Sequence, residues 1–103
     1  MNIRVVRRSY HRPGRLVPIT AVHVRGRSII LRPGESVPWH STQRREEVLI
    51  MLEGTLRLEL DGGKAQRRGL RLSAGHCVFL PQATRHRLMN QSTRRAQYLY
   101  LTA

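Results

Sequence analysis

The sequence predicts an all-β domain, built as a barrel or a sandwich of short strands. Apolar and polar residues alternate in several short runs, most cleanly from Thr55 to Leu60, where Leu56, Leu58 and Leu60 share one face. Glycine and proline interrupt these runs at short intervals, as turns do in β domains. No segment of useful length repeats its apolar residues at the helical period, and no internal repeat is present. A chain of 103 residues is expected to form one domain.

The predicted strands follow one another along the chain, separated by turn residues. They are Ile19 to Val24, Ser28 to Leu31, Glu47 to Leu52, Thr55 to Leu60, Leu70 to Leu72, Cys77 to Leu80, His86 to Met89 and Gln97 to Leu101. The first two lie on either side of Arg25-Gly26-Arg27. Turns are expected at Arg32-Pro33-Gly34-Glu35 and at Asp61-Gly62-Gly63-Lys64. Residues 1–18 are weakly patterned and are expected to form an N-terminal arm or an edge strand, leaving residues 19–103 as the single domain.

The predicted strand from Glu47 to Leu52 is apolar on both faces. Glu47, Leu49 and Met51 share one face, whereas the other carries Val48, Ile50 and Leu52. If Glu47 points into the domain, the second row points outward and must be covered. The cover would be the N-terminal segment or a partner subunit.

Two stretches place potential metal ligands beside turn-forming residues. The first contains Gly34, His40, Glu47 and Gly54, and the second contains Gly75, Pro81, His86 and Asn90. In these residues and spacings the chain resembles the cupin superfamily, including its small RmlC-like members. Two positions depart from the family motifs: Thr42 stands where a second histidine is expected, and Ala83 replaces a glycine. The resemblance implies a small double-stranded β-helix (jelly-roll) barrel and a homodimer.

The same resemblance implies a divalent metal held by His40, Glu47 and His86. Two imidazoles and one carboxylate suit Fe, Mn, Zn or Ni with open coordination positions. Glu46 competes with Glu47, but the six residues between Glu47 and Gly54 match the family spacing. Strand alternation supports an inward His86, because it leaves the neighbours Arg85 and Arg87 in water.

Further residues near the two motifs are candidates for binding a small molecule. They are Trp39, Thr42, Arg44, Arg45 and Met51. Arginine in the segment between His40 and Glu47 could clamp a carboxylate or a phosphate, with a solvated loop charge as the alternative. Ala83 is tolerable at its turn only with a negative φ, and Cys77 is expected to be an inert, buried thiol. His11, His23 and His76 match no motif position and are expected to lie on the surface or behind the metal ligands.

The chain carries a formal net charge of +13, and Lys64 is its only basic residue that is not arginine. Nucleic acid is not an expected partner, since the arginines are scattered in pairs along the chain and few aromatic residues are available for stacking. A solvated basic surface or a preference for small anionic ligands remains. No apolar run reaches the length of a membrane span, and no secretory signal is visible. With one cysteine, the chain is expected in a reducing, cytoplasmic compartment.

Two functions follow from the sequence. The first is a metal-dependent enzyme of oxygenase, isomerase or lyase type that acts on a small, anionic molecule. The second is a non-catalytic binding or sensing domain with a degenerate metal site. The second gains support from Thr42 and from the scarcity of acid–base residues, since the chain has only six acidic residues.

Overall fold

The computed structural model describes residues 5–63 and 67–103. Within these ranges the chain forms nine strands and no helix. The strands are β1 (Gly14–Arg15), β2 (Arg25–Leu31), β3 (Ser36–Ser41), β4 (Glu47–Glu53), β5 (Thr55–Asp61), β6 (Arg67–Ser73), β7 (Cys77–Leu80), β8 (Arg85–Met89) and β9 (Ala96–Thr102). No helix in the described residues could cross a membrane. Lys64, in the turn expected after Asp61, lies outside the described residues.

The strands pair into two antiparallel sheets that enclose the core. Sheet A has the strand order β1-β2-β9-β4-β7, and sheet B has the order β3-β8-β5-β6. The all-β, double-stranded β-helix prediction is confirmed, with one qualification: the two sheets are not closed into a barrel. The strands β7 and β6 each end a sheet, and in the described residues neither pairs with a strand of the other sheet.

The core consists mainly of leucines from the inner faces of both sheets. Leu56 and Leu58 on β5, Leu88 on β8 and Leu49 on β4 are buried almost completely. Full burial of one such side chain contributes about 1.5–3 kcal/mol. The alternation from Thr55 to Leu60 therefore predicts the inner face of β5 correctly.

One strand prediction is wrong. Residues 19–24 form turns rather than a strand, with Ile19 and Val22 75% and 78% exposed. Instead, β2 begins at Arg25 and includes Gly26, where a Cβ would lie 2.5 Å from a methyl carbon of Leu101. Gly26 is thus a point of close strand contact and not a turn residue.

The sequence prediction also omitted β3. This strand contains Pro38, a residue that argues against a central strand. Here β3 is the edge strand of sheet B, and it bulges between Val37 and His40, where a missing backbone donor is tolerated. The turn after β2 is confirmed: the Glu35 amide donates to the Arg32 carbonyl, and Gly34 has a φ of 84°.

The N-terminal segment covers part of the outer face of sheet A. Ser28 donates from Oγ to the Tyr10 carbonyl over 2.6 Å, and Gln97 donates from Nε2 to the His11 carbonyl over 2.8 Å. Both side chains are buried although they point away from the core. Farther along the sheet, Val48 is half-buried and Phe79 is 56% exposed. The cover therefore extends over β2 and β9 but leaves Phe79 on β7 accessible.

Candidate functional site

The side chains of Glu47 and His86 meet inside the sandwich. Glu47 begins β4 in sheet A, and His86 lies on β8 in sheet B. Their Oε2 and Nε2 atoms are 3.2 Å apart, and the side chains are only 8% and 1% exposed. Because β4 and β8 belong to different sheets, this contact forms only when the two sheets face each other.

The His86 ring is held in one orientation from behind. Its Nδ1 lies 3.0 Å from the Thr84 carbonyl, and a carbonyl only accepts hydrogen bonds, so Nδ1 carries a proton. The other nitrogen, Nε2, therefore faces Glu47. Neither Nε2 of His86 nor Oε2 of Glu47 has a partner with hydrogen-bond geometry. Buried polar atoms without a partner are rare and call for a proton or a cation between them.

The electrostatics of the pair favour a proton in the metal-free protein. Burial alone lowers the pKa of His86, but the contact with Glu47, the Thr84 carbonyl and the Glu47 charge together raise that pKa above 6.5. Below the raised pKa of His86, its imidazolium faces the Glu47 carboxylate in a buried ion pair. A divalent metal would have to displace this proton to bind.

His40 lies beside the pair and does not complete it. The Cα atoms of His40 and His86 are partners across β3 and β8, and their ring centroids are 4.1 Å apart. His40 Nδ1 is 2.8 Å from the Pro38 carbonyl, so its Nε2 also keeps a free lone pair. The ring is exposed. Within residues 5–63 and 67–103, no three His, Cys, Asp or Glu side chains are arranged as a metal-binding group.

Thr42 forms hydrogen bonds to the segment before β8, which includes the Thr84 carbonyl that orients His86. Its Oγ1 donates to the Pro81 carbonyl over 2.8 Å and accepts from the Thr84 amide over 3.0 Å. Its own amide donates to the Thr84 carbonyl, the atom that also accepts from His86 Nδ1. The hydroxyl is thus engaged within the loop, at the position where the family motif has a second histidine.

A cavity lies next to the pair, at the gap between β6 and β7. It has a volume of about 620 Å³ and is lined by the apolar residues Leu60, Leu70, Val78, Phe79 and Leu80, with Arg67 and Arg68 also in its wall. Neither Glu47 nor His86 lines it, but Leu80 is the Cα partner of Glu47, and Leu60 is that of His86. The open edge of the sandwich therefore offers an apolar space beside the buried pair.

A comparison with protein families identifies the fold. The family model described as a cupin domain matches residues 27–102. The chain belongs to the cupin family. No curated protein matches the chain.

Solved cupin-fold structures share this architecture at low sequence identity. An RmlC-like cupin family protein from Methanocaldococcus jannaschii is similar over 100% of this chain and 92% of its own, with 20% identity and a TM-score of 0.75. Peruvianin-I, a cysteine peptidase from Thevetia peruviana latex, matches with a TM-score of 0.70 and 20% identity over 78% of this chain. An oxalate oxidase matches with a TM-score of 0.71 and 20% identity over 77% of this chain.

This chain spans only part of the length of two of these structures. The match spans 50% of peruvianin-I and 41% of the oxalate oxidase. Identities this low support the shared fold and carry no further information about activity.

Of the residues predicted to bind a small molecule, Met51, Arg44 and Arg45 do not lie at the buried pair of Glu47 and His86. Met51 is buried in the core, where its Cα pairs with that of Tyr98. Arg44 is exposed, and its carbonyl accepts from Gln82 Nε2. Arg45 donates from Nη1 to the His23 carbonyl over 2.7 Å, so its guanidinium holds the segment before β2.

Trp39 lies on the opposite face of β3 from His40. Its ring is surrounded by three guanidinium groups, from Arg67, Arg85 and Arg87. Arg85 and Arg87 flank the inward His86 and therefore point outward, as strand alternation predicts. Trp39 thus belongs to the outer face of sheet B and not to the wall of the buried pair.

Two further expectations about side chains and backbone are wrong. Ala83 has a φ of +57° and not a negative value, because its amide must reach the Gln43 carbonyl 2.8 Å away. Cys77 is exposed and not buried. On β7 the inward positions belong to Val78 and Leu80, whose Cα atoms pair with those of the inward residues Leu49 and Glu47, and the alternation turns Cys77 outward.

Tyr98 is a buried phenol near the pair that sequence reasoning did not single out. Burial raises its pKa, and the charges of Glu47 and Tyr100 raise it further, so the hydroxyl keeps its proton. A signal was present in the sequence. Tyr98, Tyr100 and Thr102 are spaced two residues apart and therefore share one face of β9. The structure shows that this face points inward, since Thr102 is the Cα partner of Glu47.

Proposed function

We propose that this cupin binds one divalent metal ion at the buried pair and acts there on a small anionic molecule as a metal-dependent enzyme. The observation that carries the proposal is the facing of Glu47 Oε2 and His86 Nε2, which are buried, 3.2 Å apart and without hydrogen-bond partners. His40 would supply the third donor from the exposed side.

The donor atoms fit such an ion. Nδ1 of each histidine is bound to a backbone carbonyl, which leaves Nε2 as the donor and fixes the ring, as in known metal sites. Two imidazoles and one carboxylate suit Fe, Mn, Zn or Ni. When bound, such an ion polarises a small substrate or activates oxygen or water.

The protein's own residues would prepare the site for this ligand. The Thr84 carbonyl and the Thr42 bonds hold His86 in place. The apolar cavity beside the pair, with arginines in its wall, favours a molecule with one anionic end. Solved structures of the same fold include an oxalate oxidase and an oxalate decarboxylase, so small carboxylates are the first compounds to test.

A second candidate function is metal-free binding or sensing of a small molecule. It is favoured by the engaged hydroxyl of Thr42 and by the raised pKa of His86, which favours a proton over a metal ion between His86 and Glu47. The remaining carboxylates also lie away from the interior. Glu35 and Glu53 are exposed, while Glu59 and Asp61 pair with arginines of the outer face of sheet B.

The oligomeric state and compartment belong to the same proposal. We propose a cytoplasmic homodimer in which a second copy covers the outer face of sheet A around Phe79. The exposure of this aromatic ring beside the half-buried Val48 and Ile50 supports it.

The decisive experiment measures bound metal in protein without an affinity tag. We expect one equivalent of metal after reloading chelator-treated protein with Fe(II), Mn(II), Ni(II) or Zn(II), determined by elemental analysis. Both Glu47→Gln and His86→Ala should lose it, while the matched control His23→Ala, at an exposed histidine, should retain it. Wild-type protein that stays metal-free with all four ions would overturn the proposal and favour the second function.

A reciprocal variant restores the family ligand. Thr42→His should tighten metal binding, although it removes two hydrogen bonds worth about 1 kcal/mol each. Circular dichroism and thermal unfolding check that the variant still folds. Unchanged affinity in a folded variant would mean that position 42 does not reach the metal.

A further inference from the structure

Sheet B gathers on its outer face five arginines that are scattered along the sequence. They are Arg57 on β5, Arg67 and Arg71 on β6, and Arg85 and Arg87 on β8. Strand pairing places them together: the Cα atom of Asp61 pairs with those of Arg67 and Arg85, and Arg57 pairs with Arg71. Only two carboxylates, Glu59 and Asp61, share this face on β5. Five guanidinium groups against two carboxylates leave a clear excess of positive charge.

Three of these arginines gather around the Trp39 ring. Arg87 donates from Nε to Glu59 Oε1 over 2.8 Å, and its guanidinium carbon lies 4.8 Å from the centre of the Trp39 ring. Arg67 and Arg85 approach the same ring to 5.6 and 5.7 Å. The result is an indole surrounded by three cations, a combination that favours planar, negatively charged ligands.

The other end of this face carries a polar groove. A cavity of about 290 Å³ lies between Arg57 and Arg71 and is also lined by Thr55, Gln91 and Ser92. Gly69 allows the Arg57 guanidinium to lie across β6, because a Cβ there would collide with it. Two guanidinium groups with hydroxyl and amide neighbours are well suited to a phosphate.

We infer that this outer face of sheet B binds single-stranded nucleic acid. The arginines of the groove and of the Trp39 cluster would contact backbone phosphates, and the Trp39 ring would stack on a base. In the part of the chain that the structure describes, this face consists of strands alone, and an open sheet face suits a single strand better than the groove of a duplex. Arginine, unlike lysine, combines phosphate binding with stacking. The arginines are scattered along the sequence, and that argued against nucleic acid as a partner. The pairing of β5, β6 and β8 nevertheless brings five of them together on one face.

The proposal is tested by binding of a fluorescein-labelled 20-mer of deoxythymidine, followed by anisotropy at several salt concentrations. Contact with three to five phosphates predicts a slope of log K against log salt of about −2 to −3.5. Trp39 is the only tryptophan of the chain, so quenching of its emission reports contact at the cluster directly. The titration is made on metal-stripped and on metal-loaded protein, so that the result is independent of the proposed metal site.

Matched variants separate this surface from the general basic charge. The combined variant Arg67→Gln, Arg85→Gln and Arg87→Gln should reduce the magnitude of the slope by about 2, since each phosphate contact contributes about 0.7. The control changes three exposed arginines outside the strands to glutamine and has the same net charge: Arg12, Arg32 and Arg94. The control should bind nearly as wild type. Should the first variant not fold, Arg57→Gln with Arg71→Gln tests the other end, with an expected change in slope of about 1.4.

Three results would overturn the inference. The first is equal loss of binding in the control and in the sheet B variants. The second is binding that leaves the Trp39 emission unchanged. The third is competition by polyglutamate of equal charge number as effective as that by the oligonucleotide, which would assign the face to acidic peptides instead.

Discussion

Replacing Ala83 by glycine should stabilise this cupin. Ala83 has a φ of +57°, a left-handed conformation that costs a residue with a Cβ about 1–2 kcal/mol. It is exposed, so the lost methyl group removes little buried surface. The conformation persists because the Ala83 amide donates to the Gln43 carbonyl and thereby joins the loops after β3 and β7.

The expected gain is the relieved strain minus the extra freedom of glycine in the unfolded chain. That freedom costs about 0.4–1 kcal/mol, so the net stabilisation is about 0.5–1 kcal/mol. Unfolding entropy near 2.1 cal/mol/K per residue gives about 0.2 kcal/mol/K for 103 residues. The melting temperature should therefore rise by about 2–5 °C.

Thermal and urea unfolding of the metal-stripped protein measure this effect. The control is Ala74→Gly, because Ala74 is also an exposed turn residue but lacks a positive φ. It should destabilise by about 0.4–1 kcal/mol, since only the unfolded-state effect remains. If both substitutions shifted the melting temperature in the same direction by the same amount, backbone strain at position 83 would not be the cause.

Three further predictions concern the pair, a glycine and the cysteine. The raised pKa of His86 stabilises the metal-stripped protein below pH 6.5, and this contribution is lost as pH rises through the folded value. Urea unfolding across this range should show the loss in wild type, and Glu47→Gln should remove it. Gly54→Ala should destabilise by about 2–4 kcal/mol in the same assay, because its Cβ would lie 2.6 Å from the Arg95 carbonyl oxygen at a positive φ. Gly75→Ala, with open space around its Cβ, should cost about 1–2 kcal/mol. Cys77 should react with a thiol reagent in the folded protein; protection until unfolding would contradict its exposure.

Local alternation was enough to predict those strands whose side chains meet the opposite sheet. The strands Thr55–Asp61 and Cys77–Leu80 lie where the pattern predicts them, and their inward residues Leu56, Leu58 and Leu80 are buried. The same kind of pattern at residues 19–24 forms no strand, and Ile19 there is largely exposed. Which apolar run finds a partner is decided by contacts distant in sequence, and no single segment encodes it.

The candidate site was predictable in its parts and not in its arrangement. Alternation correctly predicted that His86 points inward. The face that Trp39 takes depends on a bulge whose position is set by pairing with β8. Likewise, the bonds of Thr42 run to Pro81 and Thr84, about forty residues away. A motif can locate such a residue, but its partners are known only once the sheets have formed.

The bulge in β3 has a consequence for how the two proposed surfaces can change. Trp39 and His40 are consecutive residues, yet the first belongs to the arginine face and the second lies against His86 of the buried pair. Deletion of Pro38 would remove the bulge and keep both sides, because Trp39 would then lie opposite Arg87 and His40 would stay opposite His86. The bulge is therefore the part of β3 that tolerates a change of length, whereas a deletion that shifted the register elsewhere in the strand would turn its side chains to the wrong faces.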